Sequence, residues 1–269
     1  MSYRFDMQWW DAALLGIVEG LTEFLPVSST GHLILTGHFL GLGEDDASKA
    51  FHVVIQAGAI LAVVVNYRQI LFEKLKTLGR GGELFFLKLF VGFLPAAVIG
   101  LLLGRWIKMH LFGVSPVAWA LALGALLILG VEARANKTQG METQEPTLRQ
   151  SLIIGLAQCL ALWPGMSRSM LTILAGRVVG LGPVSAASFS FFLALPTLGA
   201  ATAYDLLKHR QELLASSQDI LNLCVGFAVS FFVALLVIRY FLRFLETHTL
   251  KIFAWYRLLL AAILWIFVA

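Results

Sequence analysis

Long apolar runs separated by short polar segments extend along this sequence. Six runs are long enough to cross the roughly 30 Å hydrocarbon core of a bilayer as helices: residues 50–66, 88–104, 116–132, 186–205, 219–241 and 252–268. Four shorter runs are interrupted by proline and serine-rich turns: residues 8–25, 31–40, 150–163 and 168–178. Most of these are too short to span, so they are predicted to form re-entrant half-helices, with protein or a water-filled cavity around each break.

The order of these runs repeats with a fixed offset. Gly16 and Gly155 are 139 residues apart (155 − 16 = 139), and the same offset relates Ser28 to Ser167. A Gly-x-x-x-Gly-Leu-Gly segment follows each serine-rich break, again at that spacing. The pattern indicates an internal duplication. Because each half contains one re-entrant pair and three spans, the second half begins on the opposite face, and the repeats are predicted to be inverted.

The predicted fold is therefore an all-α polytopic membrane protein, with six transmembrane helices and two re-entrant helix pairs in an inverted-topology repeat. Residues 1–269 are predicted to form one integral membrane domain, with repeat halves at about 8–132 and 150–268. The composition agrees, since 59% of the residues are hydrophobic and 13% are charged. The net charge of +4 comes from basic residues scattered between apolar runs, so the partner is the lipid bilayer and no nucleic-acid partner is expected.

Loop charges also predict the orientation in the membrane. The loops that follow the first, third and fifth spans carry nine lysines and arginines, against six on the other side. The more basic side is expected in the cytoplasm. Both termini and the polar segment 19–32 then enter from outside.

Segment 19–32, Glu-Gly-Leu-Thr-Glu-Phe-Leu-Pro-Val-Ser-Ser-Thr-Gly-His, concentrates ionisable groups within an apolar chain. Such groups cost about 2.5 to 3.5 kcal/mol each at membrane depth, and they are kept mainly where they face a cavity. Glu19 and Glu23 are four residues apart and share one helix face. Together they can hold a divalent cation, or one of them can act as a base.

The break after Pro26 adds hydroxyls and an imidazole. Ser28, Ser29 and Thr30 stand where the next half-helix begins, and there hydroxyls cap the helix while free backbone N–H groups attract phosphate. His32 follows one turn later and can orient a hydroxyl or exchange a proton near neutral pH.

The second break, Trp163-Pro-Gly-Met-Ser-Arg-Ser169, supplies a cation. Arg168 can bind phosphate oxygens with its planar guanidinium, beside Ser167 and Ser169. Gln56 is a further candidate for lining the cavity. These groups together predict a phosphoryl-transfer site. Three other charged residues in or near apolar runs are interpreted as internal salt-bridge partners: Asp205, Arg239 and Arg257.

The motifs at Glu19–His32 and Pro164–Ser169 resemble the undecaprenyl pyrophosphate phosphatase family linked to bacitracin resistance, over essentially the whole chain. The resemblance implies an enzyme of the bacterial plasma (inner) membrane that removes one phosphate from undecaprenyl pyrophosphate. The product, undecaprenyl phosphate, is reused in peptidoglycan synthesis. The resemblance also implies a divalent cation, Mg²⁺ or Ca²⁺, an active site facing the periplasm, and a homodimer.

By motif position, the resemblance implies catalytic roles for Glu23, Ser29, His32 and Arg168, and cation binding by Glu19 with Glu23. Phosphate contacts are implied for four residues: Ser28, Thr30, Ser167 and Ser169. We hypothesise that Ser29 attacks the terminal phosphorus and Glu23 or His32 takes its proton, or that water attacks directly with Ser29 as a donor. A transporter or flippase for polyprenyl phosphate lipids is the alternative function, because inverted repeats with broken helices also serve transport.

Overall fold

A computed structural model describes residues 7–42, 46–111, 113–135 and 145–267 of the chain. The described part is helical. In chain order its helices are α1 Trp9–Thr22, α2 Ser29–Phe39, α3 Asp46–Asn66, α4 Arg68–Lys76, α5 Gly82–Leu111, α6 Val114–Ala135, α7 Leu148–Gln158, the 3₁₀ helix η1 Cys159–Leu162, α8 Arg168–Val178, α9 Pro183–Lys208, α10 Arg210–Leu213, α11 Ser217–Thr247 and α12 Lys251–Phe267.

The predicted all-α multi-pass class is confirmed, although the predicted number of spans is not. Within the described ranges, four segments are long and apolar enough to cross a bilayer: Gly82–Ile107, Val114–Arg134, Pro183–Lys208 and Ser217–Thr247. A fifth span results if Ala50–Asn66 and Arg68–Lys76, which are bent by 68°, count together. The sixth predicted span corresponds to α12, whose 17 described residues rise only about 26 Å. The sixth span and the re-entrant nature of the short helices stay predictions.

The 139-residue offset reappears in the helix bounds. Shifting the bounds of α2 by 139 residues gives 168 and 178, which are the bounds of α8. The residues that cap these helices, Ser28 and Ser167, both have left-handed backbone, with φ of 73° and 70°. Positive φ is uncommon and strained for any residue other than glycine. Its occurrence at both equivalent positions indicates that the two breaks are built in the same way; the inversion of the halves stays a prediction.

Helices of the two sequence halves are interleaved. Helix α1 packs against α11, α7 packs against α5, and α3 packs against both α9 and α11. The equivalent glycines Gly16 and Gly155 permit the first two contacts. A methyl group on Gly16 would lie 2.6 Å from the carbonyl oxygen of Gly226, and one on Gly155 would overlap the backbone of Gly92. Small residues let helices approach closely within a membrane, so each half contributes to the packing of the other.

Ion pairs connect the residue Glu145, which precedes α7, to two lysines. Glu145 accepts hydrogen bonds from Nζ of Lys74 at 2.8 Å and from Nζ of Lys88 at 2.9 Å. Burial by itself would raise the pKa of Glu145, but the two lysines outweigh it and lower that pKa below its ordinary value. The network connects α4 and α5 to the segment that leads into the second break.

Candidate active site

Two helix breaks face each other across a small polar cavity. The first break lies between α1 and α2, and the second lies between η1 and α8. The cavity has a volume of about 120 Å³. Seven predicted site residues line it: Glu23, Ser28, Ser29, Thr30, Gln56, Ser167 and Arg168. The remaining lining residues are Ala161, Pro164, Gly165 and Leu198. The fold therefore brings most of the predicted site together from segments about 140 positions apart.

A buried ion pair joins the two breaks. Nη2 of Arg168 donates to Oε1 of Glu23 at 2.9 Å, and the two side chains are only 8% and 5% exposed. The other end of the guanidinium is held by α9, because Nη1 donates to the carbonyl oxygen of Ser190 at 2.9 Å and to its hydroxyl at 3.2 Å. These bonds offset the desolvation of the buried charges, while Nε of Arg168 has no hydrogen-bond partner among the described residues. The orientation of Arg168 is thus set by two different elements.

The same carboxylate also binds the candidate nucleophile. Oγ of Ser29 donates to Oε2 of Glu23 at 2.6 Å, and Nε2 of Gln56 donates to that oxygen at 3.3 Å. A hydroxyl hydrogen-bonded to a carboxylate is the arrangement required for general-base activation. Glu23 therefore accepts a hydrogen bond from the Arg168 guanidinium on one oxygen and from the Ser29 hydroxyl on the other.

The serines at the breaks cap the two helices that begin at the cavity. The hydroxyls of Ser28 and Ser167 cap α2 and α8, and the first residues of both helices lie at the cavity. Helix N-termini favour negative charge. Ser169 does not line the cavity; its hydroxyl donates to the carbonyl oxygen of Leu25 at 2.8 Å and lies 3.0 Å from the hydroxyl of Ser167, so its predicted phosphate contact stays a prediction. Ser169 therefore connects the second break to the first.

Glu19 is fully buried, and neither of its carboxylate oxygens has a hydrogen-bond partner among the residues that the structure describes. An unpaired buried carboxylate is costly unless something neutralises it. The described residues contain no cluster of three or more His, Cys, Asp or Glu side chains around one point. Mg²⁺ needs fewer protein ligands than that, since it is commonly held by one or two carboxylates together with phosphate oxygens and water. Two carboxylates are therefore a suitable type of donor for such a cation, although Glu19 does not line the cavity and both oxygens of Glu23 already accept hydrogen bonds.

The two ring nitrogens of His32 contact groups other than the candidate nucleophile. Its Nδ1 donates to the carbonyl oxygen of Ser28 at 2.7 Å, so in the neutral ring Nε2 is the acceptor. Nε2 lies 2.7 Å from the hydroxyl of Tyr256, which therefore donates to it. His32 is absent from the residues that line the cavity. Of the two predicted bases, Glu23 is the one in contact with Ser29.

Three residues around the site were missed as site residues by sequence reasoning: Ser190, Tyr256 and Arg257. An arginine inside an apolar run was a visible signal, but it was interpreted as a salt-bridge partner. In the described part of the chain, neither Arg239 nor Arg257 takes part in an ion pair. Arg239 donates from Nε to Oδ1 of Asn66 at 3.0 Å, and Arg257 donates to backbone carbonyls. Oδ1 of Asp205 lies 3.9 Å from Nδ1 of His209.

The fold and the cavity define a polytopic α-helical membrane protein with a buried arginine, carboxylate and serine site at two helix breaks. The family described as "Bacitracin resistance protein BacA" matches residues 12–263, and the chain belongs to this family. The family resemblance predicted from the motifs is confirmed.

Relatives named undecaprenyl-diphosphatase match nearly the full length. The protein from Sorangium cellulosum (strain So ce56) is 52% identical over 97% of this chain and 87% of its own. The protein from Nitrosomonas europaea (strain ATCC 19718) is 49% identical over 92% of this chain and 90% of its own. The protein from Dechloromonas aromatica (strain RCB) is 48% identical with the same two coverages.

Proposed function

We propose that this protein is an undecaprenyl-diphosphatase, which hydrolyses undecaprenyl diphosphate to undecaprenyl phosphate and inorganic phosphate. The observation that carries the proposal is the carboxylate of Glu23, which binds Arg168 and Ser29 at once between two helix N-termini. The names of the relatives support the substrate. Release of undecaprenyl phosphate returns the lipid carrier to peptidoglycan synthesis, which fits the bacitracin-resistance family.

Substrate binding uses the charges and helix ends at the cavity. Arg168, the backbone N–H groups that begin α2 and α8, and the hydroxyls of Ser28, Thr30 and Ser167 bind the diphosphate oxygens. Ala161 and Leu198 give one part of the cavity wall an apolar surface, against which the first isoprene units pack. The lipid tail then leaves the cavity for the bilayer.

The chemical step begins at Ser29. Oγ of Ser29 attacks the terminal phosphorus while its proton passes to Oε2 of Glu23, and the phosphoanhydride bond breaks to release undecaprenyl phosphate. Water then attacks the phosphoserine and releases inorganic phosphate, and Glu23 returns the proton to Oγ. Direct attack by water, with Ser29 as a hydrogen-bond donor, is the competing route.

We also propose that Glu19 and Glu23 hold a divalent cation, Mg²⁺ or Ca²⁺, when substrate is bound. The support is the burial of Glu19 without a partner for either oxygen. Glu19 and Glu23 would hold the cation, which would supply positive charge to neutralise the diphosphate oxygens.

Replacing Glu19 with glutamine tests the cation proposal. We expect the Mg²⁺ concentration for half-maximal activity to rise at least about tenfold, because one anionic ligand is lost. Without Mg²⁺ the variant should unfold at the same or a higher temperature than the wild type, since a buried unpaired charge has been removed. With the lipid present, the same Mg²⁺ concentration should raise the unfolding temperature of the wild type more than that of the variant. Equal stabilisation of both proteins by Mg²⁺ would contradict the assignment of Glu19.

Tyr256 is proposed to position His32, and through it the capped start of α2. Tyr256→Phe removes one neutral hydrogen bond, worth about 0.5 to 1.5 kcal/mol, so kcat should fall roughly 2- to 12-fold. Tyr240→Phe is the matched control, because Tyr240 is exposed on α11. In a His32→Ala background the loss from Tyr256→Phe should disappear. Independent, multiplicative losses would show that Tyr256 acts elsewhere.

The proposed setting is the bacterial inner membrane, with the cavity open to the periplasm. Loop charges support this orientation, because the more basic loops lie opposite the polar hairpin. The homodimer is supported by the family resemblance alone and stays a prediction.

Phosphate release from undecaprenyl diphosphate by the purified protein, with Mg²⁺ or Ca²⁺, tests the proposed function. We expect the wild type to release one phosphate per lipid, and Arg168→Ala to be inactive while folded. A wild type that binds the lipid without cleaving it would reject the phosphatase and favour a carrier of polyprenyl phosphate lipids.

A further inference from the structure

Arg257 is a wholly buried arginine in α12, and its hydrogen bonds within the described part of the chain all go to backbone carbonyls. Its Nε donates to Leu121 at 3.2 Å, and its Nη2 donates to Ala120 at 3.1 Å. Nη2 also donates to the carbonyl of Gly165 at 2.9 Å, while Nη1 donates to that of Pro26 at 3.4 Å. One guanidinium therefore bridges α6 and both helix breaks.

The two break carbonyls occupy equivalent positions. Pro26 and Gly165 are separated by 139 residues, the offset that relates the two halves of the sequence. The position equivalent to Arg257 itself is Ala118 (257 − 139 = 118), which is also buried, in the α6 helix that packs against α12. Arg257 thus binds the carbonyl oxygen of the equivalent residue in each break.

Unwound backbone needs hydrogen-bond donors within a membrane protein, because no bulk water is available to its carbonyls. A guanidinium supplies five donors in a rigid plane, so it fixes the acceptors relative to one another. A lysine supplies a compact charge on a flexible stem and cannot impose this geometry. The contacts of Arg257 therefore constrain distances as well as satisfying carbonyls.

We propose that Arg257 is a positioning residue for the phosphatase reaction, which sets the separation of the two breaks so that Arg168 reaches Glu23 and Ser29. The inference rests on the proposed function. Arg257 is absent from the residues that line the cavity, so it acts through the break backbones rather than on substrate. Misplacing reacting groups by about 1 Å can cost about 100-fold in rate. An effect of that size on kcat is expected when the contacts are disturbed.

Two glycines of α6 allow a test in which Arg257 itself is not substituted. A methyl group on Gly124 would overlap Nη2 of Arg257, whereas one on Gly130 meets nothing within 4 Å. Gly124→Ala should lower kcat about 100-fold with KM changed less than about threefold, and Gly130→Ala should keep wild-type kcat. Activity is expressed per folded molecule, with the folded fraction taken from thermal unfolding in detergent.

Arg257→Lys then separates geometry from charge. We expect kcat to fall about as far as in Gly124→Ala, because the charge remains but the rigid donor plane is lost. In an Arg168→Lys background, Arg257→Lys should cost much less, since the position of Arg168 no longer matters. Equal fold losses in both backgrounds would indicate general destabilisation and overturn the proposal.

The outcomes also separate this inference from the proposed function. An inert wild type rejects the phosphatase itself. An active wild type, with Gly124→Ala and Gly130→Ala equally active or with Arg257→Lys fully active, overturns the positioning role and leaves the phosphatase intact. If Arg257→Lys does not fold, the comparison of Gly124→Ala with Gly130→Ala still tests the positioning role.

Discussion

Replacing Ser29 with alanine is expected to lower kcat for phosphate release at least about 10³-fold. The hydroxyl of Ser29 is the group placed 2.6 Å from Oε2 of Glu23, and alanine leaves that carboxylate without a proton to take. Binding should persist, because Arg168 and both helix ends are unchanged. Initial rates of phosphate release across a range of lipid concentrations measure the effect as a loss in kcat with KM nearly constant.

Ser230→Ala provides the matched control. Ser230 is fully buried in α11, and no described residue hydrogen-bonds its hydroxyl. The same chemical change there should therefore leave kcat and the unfolding temperature nearly unchanged. Rapid acid quenching of the wild type, followed by peptide mass spectrometry, should detect phosphate on Ser29. Turnover that persists in Ser29→Ala, with no phosphoserine in the wild type, would favour direct attack by water.

Glu23→Gln is expected to reduce both activity and stability. Loss of the proton acceptor should lower kcat about 10²- to 10⁴-fold. Loss of the charge leaves Arg168 buried without its partner, and removing one member of a buried ion pair costs about 3 to 5 kcal/mol. Kinetics and thermal unfolding of the same detergent-purified samples measure the two effects.

Two further variants separate these effects. Glu246→Gln changes an exposed glutamate near the end of α11 and should affect neither quantity. Adding Arg168→Met to Glu23→Gln should recover part of the lost stability, because the unpaired cation is gone, while activity stays absent. A Glu23→Gln variant that keeps wild-type kcat would exclude Glu23 as the base, and His32 would then be the remaining candidate.

Local sequence pattern predicted the breaks well. The four short runs were placed within a few residues of α1, α2, α7 with η1, and α8, because run length and proline or serine turns act within one segment. The largest difference lies at the end of the first run. Pro26 was expected to stop the first half-helix, but α1 ends at Thr22 and residues 23–27 form turns. The N–H of Glu23 still donates to the carbonyl of Glu19 at 2.9 Å, so the helical turn that relates the two carboxylates is kept.

The sequence by itself determined the membrane class, the 139-residue repeat and the residues at each break, because hydrophobic run length and residue spacing are local properties. Only the tertiary structure decided which groups meet. It paired Glu23 with Arg168 across the breaks, turned His32 toward Tyr256, and placed Arg257 on the carbonyls of both breaks. Every residue carries a backbone carbonyl, so no sequence pattern marks those that a distant arginine will bind. Such partners are fixed by helix packing alone.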